Sequence, residues 1–237
     1  MGSKVWIRTR PTVIVGDYKV NQDITYQDLQ DDKIELDINQ AKYFAFRVDD
    51  IDKAQADINI EGETSYDAEK QIKIAVETQI YSTIYSDATT AMSSTALDKT
   101  NVVDWIIDAK TNLGKLNIPM ENRWIVLPPA ITGLLNKSDL KNAAIMGDGP
   151  SILRKKPDYY GRIAGFDVFE SNCLVYASST YQCIAGQRSG VTFAAQIDKT
   201  ETLRHPNFFG DAIRGLMVYG YKTNQPDALV SMPATLA

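Results

Sequence analysis

His205 is the only histidine in the chain. It lies in Arg204-His205-Pro206-Asn207-Phe208-Phe209-Gly210-Asp211, a polar turn that runs into an apolar segment punctuated by Gly210, Gly215 and Gly220. One histidine suffices as the base of a Ser-His-Asp or Cys-His system. Such a system also needs a presented nucleophile, and the sequence has no Gly-x-Ser-x-Gly elbow. Beside Pro206 the imidazole reads as a turn or contact residue, and a small soluble hydrolase using His205 is the enzymatic alternative. A zinc site needs three or four ligands, and Cys173, Cys183 and one distant histidine do not make such a set. The two cysteines lie in one apolar region without the density of a disulfide framework, so free thiols packed as small hydrophobes are expected.

Gly147-Asp148-Gly149-Pro150-Ser151 lacks the Gly-Lys-Ser/Thr ending of a phosphate loop and reads as a surface loop. Asp49-Asp50-Ile51-Asp52 and Asp31-Asp32 follow no calcium-loop spacing. They read as a helix-start charge cluster and a hairpin tip. Arg154-Lys155-Lys156 reads as a solvated basic run or as a partner for acid on a neighbouring molecule. No catalytic, cofactor-binding or metal-binding residue is assigned, no cofactor is implied, and no enzyme activity is expected.

The chain has 237 residues, long enough for one large domain or two smaller ones. Its net charge of -5 argues against a protein whose main task is gripping phosphates, which takes clustered Lys and Arg. No apolar run reaches the roughly 20 residues of a membrane helix, and Met1-Gly2-Ser3-Lys4-Val5-Trp6 carries no apolar core of a secretory leader.

The elements that would position these residues follow from periodicity. Residues 4–48 read as a long β-hairpin: Ile34, Leu36 and Ile38 alternate with Lys33, Glu35 and Asp37, and Phe44, Phe46 and Val48 with Tyr43, Ala45 and Arg47. The polar middle, Gly16 to Asp32, is the tip, and so long a hairpin must lie on its own body or on another subunit. A helix follows, capped by Thr64 or Ser65, with Asp67 and Glu69 in its first turn and Ile72, Val76, Ile80 and Ile84 as an apolar stripe. A second helix carries Val102, Val103, Trp105, Ile106, Ala109 and Leu113 on one side and stops near Gly114. Trp124 to Leu127 is a buried strand closed by Pro128-Pro129, and Ile131 to Ala144 is helical. Gly161 to Asn172 and Tyr181 to Ile184 read as strands, Gly190 to Ile197 is ambiguous, and strand patterning returns over 200–230.

Several stretches, in this order, resemble the major capsid (coat) proteins of tailed bacteriophages, which have the Hong Kong 97-like fold. They are Ile7-Arg8-Thr9-Arg10-Pro11-Thr12-Val13, Gln40-Ala41-Lys42-Tyr43-Phe44-Ala45-Phe46-Arg47-Val48-Asp49-Asp50 and Arg123-Trp124-Ile125-Val126-Leu127-Pro128-Pro129. Gly161-Arg162-Ile163-Ala164-Gly165-Phe166-Asp167-Val168-Phe169-Glu170-Ser171-Asn172 and the segment around Phe209-Gly210-Asp211-Ala212 complete the set.

The resemblance implies an α+β chain in four parts. Residues 1–50 would form an extended β-hairpin arm lying across a neighbour, and 51–95 a peripheral domain with a spine helix near 64–88. Residues 96–198 would form an axial domain whose loops meet around five- and six-fold axes, and 199–237 the return strands of the peripheral domain. The implied function is self-assembly into the icosahedral shell that encloses a phage genome, without sequence-specific DNA binding and without a membrane. The implied partners are further copies of the chain as pentamers and hexamers, with scaffolding and portal proteins, and the implied location is the virion, assembled in the bacterial cytoplasm. An encapsulin-type nanocompartment shell is the alternative with the same fold. Members of the family usually carry an arm ahead of this hairpin and none is present here, a departure that truncation, processing or engineering of the chain would each explain. The glycines of the 210–220 segment would then be bulge or close-approach positions in a sheet.

Overall fold

The computed structural model describes residues 4–8, 13–20, 23, 26–28, 33–51, 60–138, 159–204 and 209–237. Its elements in chain order are β1 (Lys4–Arg8), β2 (Lys33–Asp37), β3 (Gln40–Asp49), α1 (Ile60–Asp87), β4 (Thr90–Ala91), β5 (Thr95–Leu97), α2 (Val102–Lys115), β6 (Arg123–Leu127) and α3 (Pro129–Lys137). Then come β7 (Tyr159–Ile163), β8 (Phe166–Glu170), β9 (Tyr176–Ala177), β10 (Thr180–Gln187), β11 (Val191–Arg204), β12 (Gly210–Thr223) and β13 (Leu229–Leu236).

Among the described residues the strands form three sheets. The large sheet runs β4-β13-β10-β6-β8-β7, with β5 also on β13 and β9 on β10. Its core packs α2 and α3 through Trp105, Ile106, Leu113, Ile131 and Leu135 against Ile125, Leu127, Phe166, Val168 and Ile184. The β7–β8 hairpin turns on Ala164 and Gly165, both at positive φ (51° and 91°), the pairing of conformations that a two-residue hairpin needs. The small sheet runs β11-β12-β3 and packs on α1. Val48, Val76, Ile213 and Tyr219 are buried there, apart from the main core. β1 and β2 form a two-stranded ribbon of their own.

Two expected groupings divide differently in the structure. Of residues 1–50, β1 and β2 pair with each other, but β3 pairs along its whole length with β12 and belongs to the small sheet. Of residues 199–237, β12 belongs to the small sheet, whereas β13 lies between β10 and β4 in the large one. The physical reason is non-local pairing: β13 is buried on both faces from Leu229 to Met232, as a strand inside a covered sheet must be.

The start of α1 also differs from expectation. The helix begins by Ile60, so Thr64 and Ser65 lie inside it rather than at its cap, and Asp67 and Glu69 lie beyond its first turn. Only Val76 and Ile84 of the expected stripe are buried, and Ile72 and Ile80 are half-buried. The helix holds the small sheet through a polar seam as well. Tyr219 donates to Gln79 Oε1 (2.8 Å), the Tyr221 and Thr83 hydroxyls lie 3.0 Å apart, and Thr223 donates to Asp87 Oδ2 (2.7 Å). These partners alternate on β12 and recur at helical spacing on α1, so one sheet face meets one helix face.

α2 has the expected apolar face and ends at Lys115, next to Gly114 as expected, but Gly114 is not the left-handed residue of the stop. Asn117, at φ 55°, ends it: its N–H bonds Gly114 O (3.0 Å) and the next N–H, of Ile118, bonds Leu113 O (3.2 Å). At the other end, the Asp98 carboxylate accepts from the Thr100 hydroxyl (2.6 Å) and from the N–H groups of Thr100 (2.7 Å) and Asn101 (2.9 Å). The Thr100 hydroxyl first, then those two N–H groups, hold the Asp98 carboxyl below its ordinary pKa. A depressed folded-state pKa stabilises above the unfolded value and is lost as pH falls through the folded one. The melting temperature of the wild type should therefore exceed that of Asp98→Asn above about pH 4, and the gap should close as the pH drops further.

Gly215 and Gly220 of β12 are close-approach positions, as expected, and the irregularity in the ladder falls on β11 between Ala195 and Ile197. A Cβ on Gly220 would lie well inside contact distance of the Asp37 carbonyl oxygen, where the chain leaves β2. A Cβ on Gly133, within α3, would meet open space. Gly220→Ala should destabilise by about 1–3 kcal/mol through overpacking against backbone. Gly133→Ala should stabilise by about 0.5–1 kcal/mol through helix propensity. Denaturant melts of the two variants check both signs.

Candidate functional site

The residues that sequence reasoning singled out for chemistry do not converge. His205, Gly147-Asp148-Gly149-Pro150-Ser151, Arg154-Lys155-Lys156, Asp31-Asp32 and Asp52 lie outside the described residues. Asp49 accepts from the Ile51 N–H (2.9 Å). Asp50 holds the Arg204 guanidinium with both carboxylate oxygens, and Asp211 lies 3.4 Å from the same group. This acidic cluster ties β3 to the end of β11 and the start of β12. Cys183 is buried, Cys173 half-buried, and both are free thiols whose pKa burial pushes up. Among the described residues no cluster of His, Cys, Asp and Glu is suited to a metal ion, and no helix is long and apolar enough to cross a membrane.

Residues built for contact are prominent instead. Beyond β1 and before β2, Val13, Ile14, Val15, Tyr18, Val20 and Tyr26 all stand in solvent, with Val15 91% and Tyr26 88% exposed. So many large apolar side chains on one projecting segment mark an interaction surface. The root of this segment is fixed to the body. Lys4 pairs with Glu35 and lies 3.8 Å from Asp37, and Lys222 of β12 donates to the Glu35 carbonyl (2.9 Å). The ribbon therefore has a held base, and the described residues beyond it are uncovered.

A second surface is the face of the small sheet turned away from α1. Tyr43, Leu216 and Leu203 are exposed on it, and Arg214 pairs with Glu201, which also pairs with Lys199. Cross-strand ion pairs between exposed side chains add little stability, so this face is a polar-laced surface open to a neighbour.

Sequence reasoning missed Arg123. Its side chain is 2% exposed. Its donors go to three carbonyls, Pro119 O (2.9 Å), Lys110 O (3.3 Å) and Ile118 O (2.5 Å). The guanidinium thus closes the C-terminal end of α2, where its charge also suits the helix dipole. The available signal was an arginine opening an otherwise apolar strand.

No protein-family model and no curated protein sequence matches the chain. Solved structures match it from end to end. One, from Mycobacterium phage Che8, superposes with a TM-score of 0.79 at 28% identity, over 98% of this chain and 85% of that one. The capsid structure of cyanophage P-SCSP1u gives 0.73 at 13% identity, over 100% and 85%. The mature capsid of bacteriophage PhiM1 gives 0.68 at 14%, over 100% and 82%. The chain has the fold of tailed-phage capsid proteins. Its mixed α and β elements match this capsid fold across nearly the whole length of the chain. The exposed residues described between β1 and β2 and the open face of the small sheet are therefore surfaces of a chain with this fold.

Proposed function

We propose that the chain is a major capsid protein whose copies self-assemble into an icosahedral shell around a phage genome, and that it performs no chemistry. The observation that carries this reading is the end-to-end superposition on the Che8 structure at 28% identity, joined by solved phage capsids of the same fold. Closed symmetry lets one surface serve every subunit, so modest contacts sum over many copies. A net charge of -5 suits a wall that encloses nucleic acid without adhering to it.

The ribbon β1–β2 and the segment between them act as the arm, laid on a neighbour. α1 with β3, β11 and β12 forms the peripheral domain. The large sheet with α2 and α3, including β13, forms the axial domain, whose loops approach the symmetry axes. Scaffolding and portal proteins complete the set of partners, and the working location is the virion.

Imaging of the purified chain by negative-stain microscopy tests the proposal. Shells, tubes or capsomer rings are expected, and a field of single subunits at every protein concentration would contradict it.

A further inference from the structure

The small sheet ends at β11 on one side and at β3 on the other. Among the described residues neither strand has a second neighbour. An open edge presents unpaired N–H and C=O groups to any strand that can reach it, and proteins usually blunt such edges. β11 is blunted: its register shifts between Ala195 and Ile197, and its second half carries Asp198, Lys199, Glu201 and Arg204. β3 keeps an unbroken register with β12 over its 10 residues and contains neither proline nor glycine. Its side chains show the same open edge. Phe46 stands opposite Ile213 on the face that meets α1, yet Ile213 is 3% exposed and Phe46 only half-buried. Phe44, stacked on Phe46 with ring centroids 6.0 Å apart, is half-buried too. On the other face Ala41, Tyr43, Ala45 and Arg47 are all exposed.

We propose that β3 of a second copy pairs antiparallel with this edge about a two-fold axis, joining the two small sheets into one. A two-fold contact uses the same patch on both copies, so the strand must complement itself. Keeping each sheet face continuous sets odd-numbered residues opposite odd and even opposite even. The register with Ala45 on the axis meets this condition and engages almost the whole strand. It sets Phe44 opposite the partner's Phe46, which gives the half-buried rings an apolar neighbour. It sets Tyr43 opposite the partner's Arg47, a cation beside an aromatic ring. Lys42 meets the partner's Val48 and Asp49 the partner's Ala41, so no like charges face each other. The contact lies on the body of the subunit and not on the arm, and it stands whether or not shells form.

Two cysteine variants of the purified full chain test the pairing under mild oxidation. In this register the two copies of residue 45 lie about 4.5–5.5 Å apart between Cα atoms, within the span of a disulfide. Ala45→Cys should therefore give a covalent dimer on a non-reducing gel. Ala41→Cys, on the same exposed face, should not, because residue 41 meets the partner's residue 49, roughly 26 Å along the strand from its own counterpart. Cys173 and Cys183 set the background, measured on the wild type. Ala45→Lys puts two ammonium groups face to face on the axis and should weaken dimerisation about fivefold in sedimentation velocity, with the subunit's thermal melt unchanged. Cross-linking of A45C no greater than that of A41C, or unchanged association of A45K, would overturn the proposal. Covalent A45C dimers from a chain that forms no shells would support the pairing and count against the shell alone. Shells whose A45C subunits fail to cross-link would overturn the pairing alone.

Discussion

Arg123→Ala should cost the subunit about 3–5 kcal/mol, a large share of the stability of an ordinary domain. The side chain fills a fully enclosed site and supplies the donors for the carbonyls of Lys110, Ile118 and Pro119. Truncation removes a donor from all three carbonyls and leaves a void beside α2. A buried acceptor without a partner costs about 1–3 kcal/mol, and the void adds to that. Arg123→Lys keeps the charge but cannot serve three divergent carbonyls from one nitrogen as a planar fork does, so it should fall between wild type and alanine. Burial lowers the guanidinium pKa, but an arginine stays protonated in proteins. The stability lost in Arg123→Ala should therefore be the same at pH 6 and pH 9. Urea denaturation followed by circular dichroism measures all three proteins. A loss below about 1 kcal/mol in Arg123→Ala would mean that water replaces the side chain at no cost, and that the end of α2 is not closed by it.

Removing residues 13–28 should leave a folded subunit that no longer assembles. The described residues of the segment contribute none of the buried core, and β1–β2 is held to the body by Lys4, Glu35 and Lys222 independently of it. Its apolar side chains meet water in the single chain. Fully burying one such side chain on a neighbour is worth about 1.5–3 kcal/mol, and a shell repeats that contact for every subunit. A milder form, Ile14→Asp with Val15→Asp, should weaken assembly by the same route without shortening the chain. The expected pattern is an unchanged melting temperature for the subunit with loss of all fast-sedimenting species. Normal particles from the deleted chain would assign the contact elsewhere, with the open face of the small sheet as the next surface to alter.

Much of the local structure was legible in the residues. The strict alternation in β2 and β3 gave strands and their inward faces, and the stripe Val102–Trp105–Ile106–Ala109–Leu113 gave the buried side of α2. What escaped was decided by pairing between distant segments or by polar groups satisfied far along the chain. The ambiguous stretch Gly190 to Ile197 is mostly strand because β11 pairs with β12 from Val191 to Arg204. Nothing in Ala194-Ala195-Gln196 announces that partner. β13 joins β10 rather than β12, a choice of neighbour that a local pattern does not carry. The early start of α1 and its polar seam went unread because Gln79 and Thr83 look like solvent-facing residues until Tyr219 and Tyr221 are placed opposite them. Gly114 marked the end of α2 to within a residue, but Asn117 supplies the left-handed residue that the termination uses.

The functional surfaces were legible only in outline. A polar hairpin tip suggests a projecting arm. That Val13, Ile14, Val15, Tyr18 and Val20 find no cover in their own subunit emerges only from their exposure in three dimensions. The search for chemistry around His205 gave no constellation to build on. The same stretch proved informative for its glycines: Gly215 accommodates the Phe44 ring and Gly220 the crossing at Asp37, which lets β3 and the arm root lie flat on β12.

The central claim is that this subunit builds a shell by placing its arm on its neighbour. Cryo-electron microscopy of particles formed by the purified chain, at a resolution that traces the backbone, tests it most directly. The account predicts closed particles in which residues 13–28 of each copy lie against the surface of an adjacent copy, with their apolar side chains covered. Failure to form particles under any condition, or particles in which that segment folds back on its own subunit, would contradict it.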